Sequence, residues 1–132
     1  MSQQNQKTVL IVEDSATQAM QLQQLLSENG LAPIWARDGE EGLHSAQSLL
    51  PDVIILDIEL PGMNGLQLCK YLRDSKYTKS IPIILLTHLN YRETAKLGFK
   101  PDGVDYIPKN EFSDKAILDT LRRKGFITGE VK

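Results

Sequence analysis

The chain has 132 residues and carries 15 basic against 17 acidic side chains, a formal net charge of −2. That length suits one domain with one core, and 41% hydrophobic against 24% charged residues excludes wholesale disorder. The charge balance offers no footprint for nucleic acid, the apolar runs are far too short to span a membrane, and one cysteine with two histidines excludes an internal disulfide or a multi-histidine metal centre.

Residues 1–7 are polar and read as a flexible lead without the apolar core of a secretory signal, so a cytoplasmic location is expected. Thr8 to Val12 is a near-continuous β-branched run, as in strands buried on both faces. Ser15 and Gln18 form a capping-box pair, Ala19, Leu22 and Leu26 share one helical face, and Gly30 is a stop signal. Leu31 to Ala36 is a weaker strand, and Gly39 to Ser48 a second helix. Val53 to Leu56 is again apolar throughout. Gly65, Leu68, Cys69 and Leu72 recur at i, i+3, i+4 and i+7, which predicts a third helix. Ile83 to Leu86 is a strand, Tyr91 to Gly98 a helix and Gly103 to Ile107 a fifth strand. Ser113 is expected to cap the last helix, with Phe112 and Ile117 as a hydrophobic staple and Ile117, Leu118 and Leu121 as its stripe. Residues 8–126 thus form the domain, with 127–132 as a tail. Strand and helix alternate five times, so the expected fold is α/β, a doubly wound five-stranded parallel sheet with five helices.

Ligands of such sheets bind beyond the carboxyl ends of the strands. Glu13 and Asp14 follow the first strand, Asp57 ends the third with Glu59 just beyond, Thr87 ends the fourth and Lys109 follows the fifth. Three clustered carboxylates repel one another unless a cation sits among them, and oxygen donors without Cys or His suit a hard ion such as Mg²⁺. With a lysine and a threonine hydroxyl, the set is equipped to handle a phosphoryl group, one carboxylate attacking while cations neutralise its oxygens. Any one of these residues alone is more often a cap or turn former than a functional group; their joint placement at the strand ends reverses that reading and points to chemistry.

These residues resemble the receiver domains of two-component response regulators, of which single-domain CheY-like proteins are the simplest. The resemblance runs from Val9 to about Phe126. It is carried by Val9 to Ser15 (VLIVEDS), Pro51 to Asp57 (PDVIILD), Leu60 to Gly65 (LPGMNG), Ile83 to Thr87 (IILLT) and Asp105 to Lys109 (DYIPK). It implies a flavodoxin-like fold with Asp57 as phosphoacceptor. It further implies Mg²⁺ bound directly by Asp14 and Asp57, through water by Glu13 and by the backbone carbonyl of Glu59, with Thr87 and Lys109 on the phosphoryl oxygens. Tyr106 matches the switch aromatic that moves with Thr87. The implied partners are a sensor histidine kinase or a histidine phosphotransfer protein, and a downstream target on the face of the fourth helix, fifth strand and fifth helix. That face also leaves homodimerisation open, and no DNA or membrane partner is implied. The function implied is that of a single-domain response regulator, not an enzyme beyond its own phosphorylation and dephosphorylation. The stretch Tyr106 to Phe112 (YIPKNEF) resembles single-domain regulators of motility and pilus systems.

The chain departs from the family pattern in places. Pro108 precedes Lys109 where receivers usually have proline after the lysine, so a cis Lys109–Asn110 bond is an open question. Bulky His88 follows Thr87 where a small residue is usual, and Glu59 lies two residues past Asp57; both are candidate modulators of access or rate. Asp102 replaces a common glycine. Two other readings compete: a pseudo-receiver that binds partners without phosphorylation, and a small Mg²⁺-dependent phosphohydrolase, loosely echoed by Asp57 and Glu59. Cys69, His44, Trp35, Tyr71, Tyr77 and the run Arg122 to Lys124 read as structural or surface residues.

Overall fold

The computed structural model describes residues 6–89, 91–96 and 103–128. Among them, strands and helices alternate as β1 (Thr8–Val12), α1 (Ala16–Glu28), β2 (Ala32–Ala36), α2 (Gly39–Leu49), β3 (Val53–Asp57), α3 (Gly65–Asp74), β4 (Ile83–Thr87), α4 (Tyr91–Lys96), β5 (Val104–Pro108) and α5 (Ser113–Arg123). All strand pairings are parallel, in the order β2-β1-β3-β4-β5. This is the doubly wound sheet expected from the sequence.

Side chains on a strand alternate between faces, so each apolar run feeds two cores. Val9, Ile11, Val53, Ile55, Ile84 and Leu86 pack with Leu22 and Leu26 of α1 and Ile117, Leu118 and Leu121 of α5. Leu10, Val12, Ile54, Leu56, Ile83 and Leu85 pack with Ala46 of α2 and Leu68, Cys69 and Leu72 of α3. At roughly 1.5–3 kcal/mol for each large apolar side chain removed from water, these two layers are what fix the strand ends in space. β3 and β4 are buried along their whole length, whereas edge strand β2 buries only Ala36 fully.

Helix starts follow their sequence signals with one exception, although α1 forms only half of the expected capping box, because the Ser15 amide donates to Glu13 Oε2 rather than to the Gln18 side chain. Ser15 Oγ accepts from the Gln18 amide at 3.2 Å and Asp38 from the Glu41 amide at 2.8 Å. Asn64 and Gln67 form a reciprocal capping box that the sequence reading did not single out. The exception is α5: Phe112, not Ser113, takes the cap position, without a side-chain bond. Ser113 is instead the first helical residue; its hydroxyl accepts from the Asn110 amide at 2.7 Å and donates towards the Pro108 carbonyl at 2.8 Å, tying down the loop after β5. Phe112 is 66% exposed and so does not make the expected staple.

Strand limits shift by one residue. Leu31 precedes β2, its amide bonded to the Leu26 carbonyl beyond α1, where Gly30 takes φ +83°. Gly103 precedes β5 as a turn with φ +78°. Gly98 and Asp102 lie outside the described residues. All described peptide bonds, Lys109–Asn110 included, are trans. The Lys7 carbonyl accepts from Ala32 N–H, and Ile127 is buried in the α1–α5 core. Among the described residues, no helix is long and apolar enough to cross a membrane.

Candidate functional site

The strand order reverses at β1, flanked by β2 on one side and β3 on the other, and the crevice at such a point is where side chains from separate strands meet. Glu13 and Asp14 leave β1 here and Asp57 ends β3. Oxygens of these three carboxylates lie within 4.8 Å of one another, with Glu13 and Asp57 buried and Asp14 exposed. Lys109, just past β5, reaches across β4: its ammonium donates to Asp57 Oδ2 and lies 3.7 Å from Glu13 Oε1.

Backbone amides aim the carboxylates. Glu59 N–H donates to Asp57 Oδ1 at 2.9 Å, and Ser15 N–H to Glu13 Oε2 at 3.1 Å. The Glu59 carboxylate accepts from His88 N–H at 3.3 Å, bridging the loops after β3 and β4, while the His88 side chain itself is exposed. Thr87 is buried; its hydroxyl accepts from Leu89 N–H at 2.9 Å and its carbonyl from Lys109 N–H at 2.8 Å. Gly65 lets α3 begin against the Asp57 backbone: a Cβ there would stand 2.3 Å from the Asp57 carbonyl oxygen.

Burial raises the pKa of Glu13, and the nearby Asp57 charge adds to this against the opposing pull of Ser15 N–H and Lys109. For Lys109, burial favours the neutral amine, but Asp57, Glu13 and Glu59 together outweigh it and hold the ammonium above its ordinary pKa. The site thus keeps one firmly charged cation among an excess of carboxylates. Hard oxygen donors at one spot, with one of them open to solvent, fit a divalent ion such as Mg²⁺.

The structure therefore brings together Glu13, Asp14, Asp57 and Lys109, ties Glu59 to Asp57 and to the backbone of His88, and stands Thr87 on the neighbouring strand. Tyr106 is half-buried and packs against the α2–α3 core; burial first, then the neighbouring Cys69, raises its hydroxyl pKa. A cleft of about 310 Å³ opens beside Lys109 and Glu13, between Gln18 and Leu22 of α1 and Ser113 and Ile117 of α5. Trp35 is more than the packing residue expected: its indole N–H donates to the Glu13 carbonyl at 2.7 Å. No spacing rule links positions 13 and 35, so only the strand register exposes this contact.

A family model for the response regulator receiver domain matches residues 9–122. The chain belongs to this receiver family. Protein PilH of Pseudomonas aeruginosa is 34% identical over 114 residues, covering 86% of this chain and 93% of PilH. The phosphate regulon transcriptional regulatory protein PhoB of Escherichia coli is 32% identical over 116 residues, and the receiver spans only 50% of PhoB's length. The chemotaxis response regulator CheY4 of Vibrio cholerae superposes with a TM-score of 0.80 at 31% identity, over 89% of this chain and 98% of CheY4. The receiver is thus a two-component signalling domain with a CheY-like fold.

Proposed function

We propose that this receiver accepts a phosphoryl group on Asp57 from a sensor histidine kinase or a histidine phosphotransfer protein, in the presence of Mg²⁺, and signals by protein contact. The observation that carries this reading is the Asp57 carboxylate held between Lys109 and the Glu13–Asp14 pair. One Asp57 oxygen attacks phosphorus, the bond from phosphorus to the donor's imidazole nitrogen breaks, and that nitrogen keeps the electron pair. Lys109 is already paired with the nucleophile and neutralises the phosphoryl oxygens as charge passes onto them. The Thr87 hydroxyl accepts from Leu89, which leaves its own proton to donate to a phosphoryl oxygen. Asp14, Asp57 and the Glu59 carbonyl, with Glu13 through water, would hold a Mg²⁺ ion, which when bound would supply further charge neutralisation there.

The phosphorylated form is favoured only through contacts that the resting form lacks. Thr87 moving towards the phosphoryl group draws Tyr106 with it and changes the face formed by α4, β5 and α5, which receives the target protein or a second copy of the chain. His88 and the Glu59 carboxylate that holds its amide set the rate of donor or water access. The chemistry is self-modification followed by hydrolysis, in a cytoplasmic signalling module without DNA contact of its own. The test is an amide NMR spectrum with Mg²⁺ and beryllofluoride, a stable mimic of the acyl phosphate. Shifts at Asp57, Thr87 and Lys109 that extend to Tyr106 and α5 are expected; an unchanged spectrum would overturn the proposal.

A further inference from the structure

We infer that Trp35 is a positioning residue for the acidic pair after β1, acting through its indole N–H; this rests on the reading of Glu13, Asp14 and Asp57 as a Mg²⁺ site. Trp35 is the single tryptophan of the chain and lies on edge strand β2, packed against the α1–α5 core. The Glu13 amide donates to the Ala36 carbonyl at 3.1 Å, the last rung between β1 and β2. In a parallel ladder the next rung runs from the amide two residues further along the partner strand to the Glu13 carbonyl. β2 ends at Ala36, and the Trp35 indole supplies that donor instead, at 2.7 Å.

Both sides of Glu13 are therefore pinned to β2, its amide by Ala36 and its carbonyl by Trp35. The pinned carbonyl belongs to the peptide plane that leads into Asp14. Asp14 is exposed and has no core packing to aim it, so its direction towards Glu13 and Asp57 depends on that plane. Space-filling alone needs only a ring; orientation of the plane needs the N–H. A residue that orients metal ligands from behind changes affinity on the order of tenfold when its hydrogen bond is lost.

The test is calorimetric Mg²⁺ titration of the full chain in four forms: wild type, Trp35→Phe, and two forms in which the single tryptophan is replaced during biosynthesis. In one of these, 3-benzothienylalanine keeps the bicyclic shape without the N–H; in the other, 5-fluorotryptophan keeps the N–H. We expect Mg²⁺ affinity to fall about tenfold with phenylalanine and benzothienylalanine and to be retained with fluorotryptophan. Wild-type affinity in the benzothienylalanine protein would overturn the role of Trp35 while leaving the Mg²⁺ site standing. No Mg²⁺ binding by the wild type would overturn the site reading, and this inference with it. The benzothienylalanine protein decides the matter if Trp35→Phe fails to fold.

Discussion

Replacing Gly65 with alanine should damage the fold and the acceptor site together. Gly65 is the first residue of α3, and its amide donates to the Ile58 carbonyl at 2.9 Å, so the helix starts hard against the backbone that carries Asp57. An added Cβ would lie 2.3 Å from the Asp57 carbonyl oxygen, 2.7 Å from Ile58 Cα and 2.7 Å from Leu56 Cδ1. Ordinary contact begins near 3.4 Å, so helix and acceptor loop must part by about 1 Å. Alanine gains at most about 1 kcal/mol of helix propensity over glycine. Overpacking costs about 1–3 kcal/mol where side chains can yield, and here two of the three obstructing atoms are backbone, which places the cost at the upper end. The net expectation is a loss of about 2 kcal/mol, or roughly 1 M in the urea midpoint for a typical slope. Equilibrium unfolding followed by circular dichroism measures it, and beryllofluoride binding to the same variant should weaken because the Asp57 backbone has moved. Wild-type stability together with wild-type beryllofluoride affinity would refute the reasoning.

Leu50 ends α2 in the left-handed region, with φ +47°, and is 50% exposed. Leu50→Asn should therefore stabilise the chain by roughly 0.5–1 kcal/mol, and a lower urea midpoint would contradict this. Burial pushes the Cys69 thiol up to about 11 from an ordinary value of 9.0. The unfolded chain releases that proton first, so stability falls as pH rises through this window, by roughly 2–3 kcal/mol in all. Urea unfolding of wild type and Cys69→Ala at intervals across it should show the difference between them shrinking by that amount; a constant difference would refute it. Mg²⁺ should raise the Tm of the wild type and leave that of Asp14→Asn unchanged, because a ligand stabilises only the state that binds it. Equal shifts in both would place the ion elsewhere.

The sheet was legible because both-face burial leaves an unmistakable apolar run, as in Ile83 to Leu86, and because each run ends where a chemically distinctive residue begins. Glu13, Asp14, Asp57 and Lys109 could be grouped from strand order alone, since parallel strands must deliver their ends to one rim. Features set by close packing or by register were not legible. Gly65 read as one member of a helical stripe, although its missing side chain is what admits α3 to the Asp57 backbone. Trp35 read as packing because its partner is a carbonyl twenty-two positions away across two strands. Ser113 carried a cap signal, but its hydroxyl turns back to Pro108 and Asn110, a choice made by the loop after β5 that composition does not encode. The Glu59 contact with His88 likewise joins two loops whose approach depends on the register of β3 with β4.

The central claim is that Asp57 is the phosphoacceptor, and the intact mass of the chain after incubation with acetyl phosphate and Mg²⁺ tests it most directly. The account predicts one phosphoryl adduct on the wild type, absent from Asp57→Asn and absent when Mg²⁺ is withheld, with beryllofluoride binding following the same pattern. An adduct that persists in Asp57→Asn, or a wild type that takes up neither the phosphoryl group nor beryllofluoride, would contradict it.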